Sequence, residues 1–121
     1  MSGAGLWFWP PIVIDEDFPR DVAYALARHP RAVRVVVTVD EASWRGAPDQ
    51  AQVLRAFALN GILISHNRRQ RAQFRSYVER ERAYRPADVV NDPTATSVLL
   101  LPPDTSEERL LLRTTLLIEC T

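Results

Sequence analysis

The sequence predicts a three-layer α/β/α domain built on a short, mainly parallel sheet of about four strands. Short apolar runs, rich in β-branched residues, alternate along the chain with segments whose apolar residues recur at helical spacing. These runs lack the polar alternation of a half-exposed sheet, so we expect both of their faces to be buried, as in parallel sheets. An order of strand, helix and strand then gives parallel β-α-β units.

Length and composition agree with one soluble domain that follows a short apolar arm. The 121 residues are 46% hydrophobic and 25% charged, which is ordinary for a globular protein. We assign residues 1–10 to the arm and residues 11–121 to the domain. The apolar stretch Leu6–Trp9 is far shorter than the ~20 residues that span a bilayer. Exposed tryptophans are unusual on a monomer, so we expect the arm to pack on this protein or on a partner.

Charge and cysteine content bear on the cellular location of the protein and on whether it binds nucleic acid or membranes. Fifteen basic and fifteen acidic side chains cancel, so no net charge draws the whole protein to nucleic acid or to a membrane. The single cysteine, Cys120, excludes an intrachain disulfide and fits a cytoplasmic protein. Seven arginines nevertheless lie between Arg68 and Arg85. Such a stretch either binds phosphate groups or forms a solvated helix face, and the second outcome is the commoner.

The first half of the chain supplies two strands and two helices. Ile12–Ile14 is predicted to be the first strand, and Pro19–Ala27 the first helix, which Pro30 ends. The β-branched run Val33–Val39 predicts the second strand. After a polar loop, Asp49 lies near the start of a helix whose apolar residues are Val53, Leu54, Phe57 and Ala58.

The second half begins where Asn60 and Gly61 end that helix and start a tight turn. The run Ile62–Ser65 predicts the third strand, and the arginine-rich residues 68–84 predict a long helix. Ser97–Leu101 predicts the fourth strand. Up to this point the sequence therefore predicts four strands and three helices.

The last segment has two interpretations. Any of three consecutive residues, Asp104 to Ser106, can cap a helix, and the two glutamates that follow favour its first turn. Thr114, Thr115 and Ile118 disfavour a helix, so an exposed strand is the competing interpretation.

Acidic side chains gather where the predicted strands end. Asp15 and Asp17 follow the first strand, Asp49 opens a helix, and Asn67 follows the third strand. Ligand crevices of open α/β sheets form at the carboxyl ends of the strands, and carboxylates bind hard cations such as Mg²⁺. Alternation along the chain puts Asp15 and Asp17 on one face and turns Glu16 away. This pattern predicts a metal-dependent phosphodiester chemistry.

Two of the acids have structural alternatives. Asp17, just before Phe18 and Pro19, is equally suited to cap the first helix, and Asp49 can cap its helix or lie in its first turn. Asp15 ends a buried apolar strand, where an unpaired carboxylate costs free energy, so it is the strongest candidate. A zinc site is excluded by the single cysteine and two distant histidines. The sequence also lacks a phosphate-binding glycine loop and a nucleophile elbow.

The order of these segments resembles the small PIN-like proteins, which are bacterial relatives of the VapC toxins. The resemblance lies in the start Ile14-Asp15-Glu16-Asp17, the loop Arg45-Gly46-Ala47-Pro48-Asp49 and the strand end Ile62–Asn67. It covers residues 11–85 and, more loosely, the tail through Leu117. It implies a PIN-like fold, a ribonuclease site that depends on Mg²⁺ or Mn²⁺, and pairing with a small antitoxin protein.

By position, the resemblance implies catalytic and metal-binding roles for Asp15 and Asp49, and a ligand role for the neutral Asn67. We predict that Asp17 is a third catalytic and metal-binding carboxylate. Relatives often carry an acid just after the third strand, which this chain lacks, so the site offers three carboxylates and enough charge for one Mg²⁺. Asp40 or Glu41 could reach the same crevice. The side chains predicted to guide the RNA backbone are Arg68, Arg69, Arg71 and Arg75.

Two functions agree with these features. The first is a cytoplasmic ribonuclease, the toxin of a toxin–antitoxin pair, that hydrolyses RNA phosphodiesters with carboxylate-bound Mg²⁺ or Mn²⁺. The second is a catalytically weak or inactive PIN-like module that acts by binding a protein, either an antitoxin or a second copy in a homodimer. A phosphoryl-accepting receiver domain is excluded, because Asn67 stands at the acceptor position and the chain has no lysine.

Overall fold

The computed structural model describes residues 8–66, 71–84, 97–102 and 106–120. These residues confirm the predicted α/β class, with four parallel strands and four helices. Two short 3₁₀ turns, Thr38–Asp40 and Ala42–Trp44, join the second strand to the second helix. The elements are β1 (Ile12–Ile14), α1 (Arg20–Ala27), β2 (Val35–Val37), α2 (Asp49–Ala58), β3 (Ile62–Ser65), α3 (Arg71–Tyr84), β4 (Ser97–Leu100) and α4 (Glu107–Glu119).

The strands lie side by side in the order β2-β1-β3-β4. Ile14 is level with Val37 on one side and with Ile64 on the other. The chain passes from β1 to one neighbour and then crosses to the opposite side, so the direction of winding changes between β1 and β3. In sheets of this kind ligands bind at that switch point, just beyond the carboxyl ends of the strands.

Helices cover both faces of the sheet and complete the three layers. Helices α1 and α4 contact each other on one face, and α2 and α3 contact each other on the other face. Alternate residues of the strands point to opposite faces. Ile12 and Ile14 therefore belong to the first core, which lies between the sheet and helices α1 and α4. Val13 and Leu63 belong to the second core, which lies between the sheet and helices α2 and α3. Both faces of β1 and β3 are thus buried, which explains why Ile12–Ile14 and residues 62–64 are apolar without interruption.

Strand β2 is shorter than its sequence indicates. The β-branched run from Val33 to Val39 predicts seven extended residues, but only Val35–Val37 pair with β1. Val33 is 68% exposed, and Thr38 already begins a 3₁₀ turn. The edge position of β2 limits the ladder to the residues that β1 can reach.

The last segment is a helix, and the strand interpretation is wrong. Ser106 is its N-cap and accepts a hydrogen bond from the backbone N–H of Arg109. The hydroxyls of Thr114 and Thr115 donate to the carbonyl oxygens one turn earlier, at 2.7 and 2.8 Å. This bonding satisfies the threonine side chains within the helix and lets the buried face of α4 include Thr114.

Part of the apolar arm packs on the domain itself. Trp9 is 2% exposed, belongs to the first core, and stacks on His29 with ring centroids 3.9 Å apart. Its backbone N–H donates to the carbonyl oxygen of Arg31 at 2.9 Å. Trp7 lies outside the described residues. Across the described part of the chain, no helix combines the length and apolar character that a membrane span requires.

Candidate functional site

Asp15 lies at the switch point of the sheet, immediately after β1. It is 6% exposed, and its backbone N–H donates to the carbonyl oxygen of Ile64 at 2.9 Å. One carboxylate oxygen accepts from the N–H of Glu16 at 2.8 Å, and the other accepts from the Ser65 hydroxyl at 3.0 Å. The Asp15–Ser65 contact therefore bridges the ends of β1 and β3, the two strands that border the crevice.

Asp17 turns toward the same strand end. Both of its carboxylate oxygens lie 3.2 Å from the Ser65 hydroxyl, and one accepts from the backbone N–H of His66 at 3.2 Å. The N-cap position of α1 is Pro19, and no side chain makes a cap hydrogen bond there. The helix-capping alternative for Asp17 is thus wrong, and Asp17 joins Asp15 at the carboxyl edge of the sheet.

The Ser65 hydroxyl contacts two carboxylates although it has one proton to donate. Neither Asp15 nor Asp17 forms a salt bridge with any side chain in the described part of the chain. Ser65 can therefore satisfy one carboxylate at a time. The remaining negative charge favours the uptake of a proton or a cation at this point.

Asp49 is a third acid near this edge of the sheet, and it lies at the start of α2. It is the first residue of α2, after Pro48 at the N-cap position, so it lies in the first turn and does not cap. Burial and the charge of Asp17 raise the pKa of Asp49. The partial positive charge of the helix N-terminus stabilises an acid here, and α2 runs back from this edge because it joins parallel strands.

The three acids influence one another electrostatically. Burial first, then the charge of Asp17, and last the charge of Asp49 raise the pKa of the Asp15 carboxyl from its usual 3.8 to about 6. The hydrogen bonds from Ser65 and Glu16 act in the opposite direction. Mutual repulsion among Asp15, Asp17 and Asp49 is what a bound cation relieves, so we call these three residues the acidic cluster.

The donor chemistry of the acidic cluster fits a hard divalent cation, because all its side-chain donors are oxygen atoms. The described residues contain no group of three histidine, cysteine, aspartate or glutamate side chains that is assembled to hold a metal ion. Asn67, the fourth predicted ligand, lies outside the described residues. The cluster therefore has the charge and the atoms for a cation without a closed set of ligands.

The arginines predicted to bind RNA are only partly within the described chain. Arg68 and Arg69 lie outside it, and the side chain of Arg71, the first residue of α3, is not described. Arg75 is exposed one turn later in α3. Because α3 follows β3, we expect α3 to begin at the carboxyl edge of the sheet, which is also the edge where the acidic cluster lies.

Asp40 and Glu41, the other two acids considered for the crevice, have side-chain partners on helices α1 and α2. Asp40 accepts hydrogen bonds at 2.8 Å from the hydroxyl of Tyr24 on α1. Glu41 forms a salt bridge with Arg55 on α2. The carboxylate of Glu16 accepts from the backbone N–H of Gly46 at 3.1 and 3.3 Å, which turns it away from Asp15 and Asp17.

Sequence reasoning missed a buried polar pair beside the site. The hydroxyl of Thr38, the residue after β2, donates to the side-chain oxygen of Gln52 at 3.2 Å, and both residues are fully buried. The side-chain nitrogen of Gln52 has no partner among the described residues. Gln52 could have been found from the helical spacing, because it precedes Val53 on the buried face of α2.

No protein-family model matches this chain, and no significant match to it is found among curated proteins or among solved structures. The PIN-like resemblance therefore stays a prediction that rests on its short motifs. The acidic cluster and its contacts are the basis on which a function can be argued.

Proposed function

We propose that this chain is a metal-dependent ribonuclease, which hydrolyses RNA phosphodiesters at the acidic cluster. The observation that supports it best is the position of Asp15 and Asp17, whose carboxylates both contact Ser65 at the switch point of a parallel sheet. Asp49 adds a third acid from the start of α2. Carboxylates concentrated at this place in an α/β sheet are suited to a hard cation and a phosphate ester.

In this proposal Asp15, Asp17 and Asp49 hold the cation. When bound, Mg²⁺ or Mn²⁺ would polarise a phosphate oxygen of the RNA and lower the pKa of a water molecule. Ser65 orients Asp15 and Asp17 through its hydroxyl, and the backbone N–H of His66 fixes one oxygen of Asp17. Arg75 belongs to the set that guides the RNA backbone, whose phosphate contacts carry little sequence information.

The toxin role, the cytoplasmic location and the antitoxin partner belong to the same proposal and rest on the resemblance. Exposed leucines on α4 support an apolar contact with another chain, since Leu112 is 61% exposed and Leu116 is 53% exposed one turn later. Such a surface would suit either a segment of an antitoxin or a second copy of this chain.

A protein-binding module without catalysis is the second candidate. It is favoured by the lack of an assembled three-residue metal group among the described residues. It is also favoured by Ser65, whose hydroxyl contacts both Asp15 and Asp17 and so gives these carboxylates a structural role. In this case the acids would fix the strand ends, and the function would lie on the exposed face of α4.

Dependence of RNA cleavage on a divalent cation separates the two functions. We expect the purified chain to cleave a fluorescently labelled single-stranded RNA in Mg²⁺ or Mn²⁺, and EDTA to abolish the cleavage. Added excess Mn²⁺ should restore it in the same sample. Cleavage that persists in EDTA would contradict a metal-dependent mechanism, and no cleavage with either cation would favour the module.

A further inference from the structure

The loop between β2 and α2 contacts Glu16, which is not itself a member of the acidic cluster. The backbone N–H of Gly46 donates to both carboxylate oxygens of Glu16, which stands in the chain between Asp15 and Asp17. Trp44 lies two residues before Gly46. The loop that carries Trp44 is therefore fixed to the residue between two of the acids that we propose to be catalytic.

Trp44 is held in place from one side. Its ring lies over the guanidinium of Arg55, with 4.3 Å between the guanidinium carbon and the ring centroid. Arg55 is fixed in turn by its salt bridge to Glu41 and is largely buried. Trp44 is partly buried, and both of its neighbours, Ser43 and Arg45, are exposed. Part of the Trp44 side chain therefore stays accessible to solvent.

Arg45 places a cation beside this ring. Its Nε donates to the carbonyl oxygen of Val39 at 2.7 Å, which fixes the stem of the side chain. Arg45 forms no salt bridge within the described residues, and the side chain is exposed. Its terminal nitrogens can thus donate to a phosphate oxygen, and a guanidinium suits that contact in charge and geometry.

We propose that Trp44 and Arg45 form a nucleotide subsite for single-stranded RNA, in which a base stacks on the accessible part of the Trp44 ring and a phosphate binds Arg45. The inference rests on the proposed ribonuclease function and names the form of its substrate. Stacking on an aromatic ring requires an unpaired base, and stacking with phosphate neutralisation is the common mode of single-strand binding.

Binding measured without cleavage tests the subsite separately from the catalytic site. A fluorescein-labelled ten-nucleotide oligouridylate is titrated in EDTA with the full chain, and anisotropy reports the affinity. We expect Trp44→Leu, which keeps an apolar group over Arg55, to weaken binding about tenfold or more. Trp44→Phe should retain most of the affinity, because it keeps a ring. Arg45→Gln should weaken binding and reduce its dependence on salt.

Two controls make the outcome decisive. A duplex of the same length should bind the wild type and Trp44→Leu with equal affinity, because its bases are already stacked. Asp15→Asn should bind the oligouridylate at least as well as the wild type in EDTA. Binding measured in EDTA therefore tests the nucleotide subsite even if the chain cleaves no RNA. Equal single-strand affinity of Trp44→Leu and wild type, or an equal loss with the duplex, would overturn the inference.

Discussion

Replacing Asp15 with asparagine is expected to reduce cation-dependent RNA cleavage at least ~100-fold, because a bound metal supplies several kcal/mol of transition-state stabilisation. The amide has nearly the same shape and keeps an oxygen that can accept from the N–H of Glu16. Its NH₂ group can donate to Ser65, which leaves the Ser65 proton for Asp17. The variant should therefore remain folded while it loses the charge that holds the cation.

The same variant should be more stable than the wild type at neutral and alkaline pH. The pKa of Asp15 is raised from 3.8 to about 6 in the folded chain, so the folded state binds more protons than the unfolded state between these values. The contribution of Asp15 to the stability of the wild type is then fully present below the unfolded pKa and is lost as the pH rises through the folded pKa. For this partly screened group the decrease is about 2 kcal/mol.

Urea unfolding of both chains in EDTA, at pH 4 and at pH 8, measures this effect. We expect Asp15→Asn to exceed the wild type in free energy of unfolding at pH 8 and to match it at pH 4. The control is Asp40→Asn, which removes an exposed acid that pairs with Tyr24 away from the acidic cluster. It should retain the cleavage activity of the wild type. Wild-type cleavage by Asp15→Asn, or a loss of stability at pH 8, would refute the assigned role of Asp15.

Replacing Gly61 with alanine is the change expected to cost the most stability. A Cβ atom at Gly61 would lie 2.3 Å from the carbonyl oxygen of Pro11 and 3.0 Å from its carbonyl carbon. That oxygen accepts the first hydrogen bond between β1 and β3, from the N–H of Ile62 at 2.8 Å. Since neither backbone can move without breaking this pairing, we expect a loss of about 3 kcal/mol, measured by urea unfolding.

Gly46→Ala is the matched control for that change. Gly46 has a φ of +73°, and nothing lies within 4 Å of the Cβ that alanine would add. The left-handed backbone alone should cost alanine about 1 kcal/mol. A cost at Gly61 no greater than at Gly46 would contradict the close approach of β1 and β3, and with it the contact between Asp15 and Ser65.

The fold could be predicted because each strand has a strong local signal. The runs around Val13 and Leu63 are apolar on both faces, and this pattern alone indicates a covered parallel sheet. Asn60 has a φ of 51°, and the N–H groups of Asn60 and Gly61 bond to the carbonyl oxygens of Phe57 and Ala56, which closes the end of α2 as the sequence predicts.

Features that depend on distant contacts could not be predicted in the same way. Asp17 follows the rules for a helix cap, yet it turns to Ser65, 48 residues later in the chain. Thr114 is accommodated on the buried face of α4, where its hydroxyl donates to the carbonyl oxygen of Leu110. Trp44 and Arg55 have no local signal that pairs them, since their contact follows from the path of the loop over α2.

Calorimetric titration of Mn²⁺ tests the central claim that the acidic cluster holds a divalent cation. At pH 7.5 the wild type and Asp40→Asn should each bind about one ion per chain at up to millimolar Mn²⁺, and Asp15→Asn should bind none. At pH 5 wild-type binding should weaken, because protons compete for Asp15. Absence of Mn²⁺ binding by the wild type, or equal binding by Asp15→Asn, would contradict the claim.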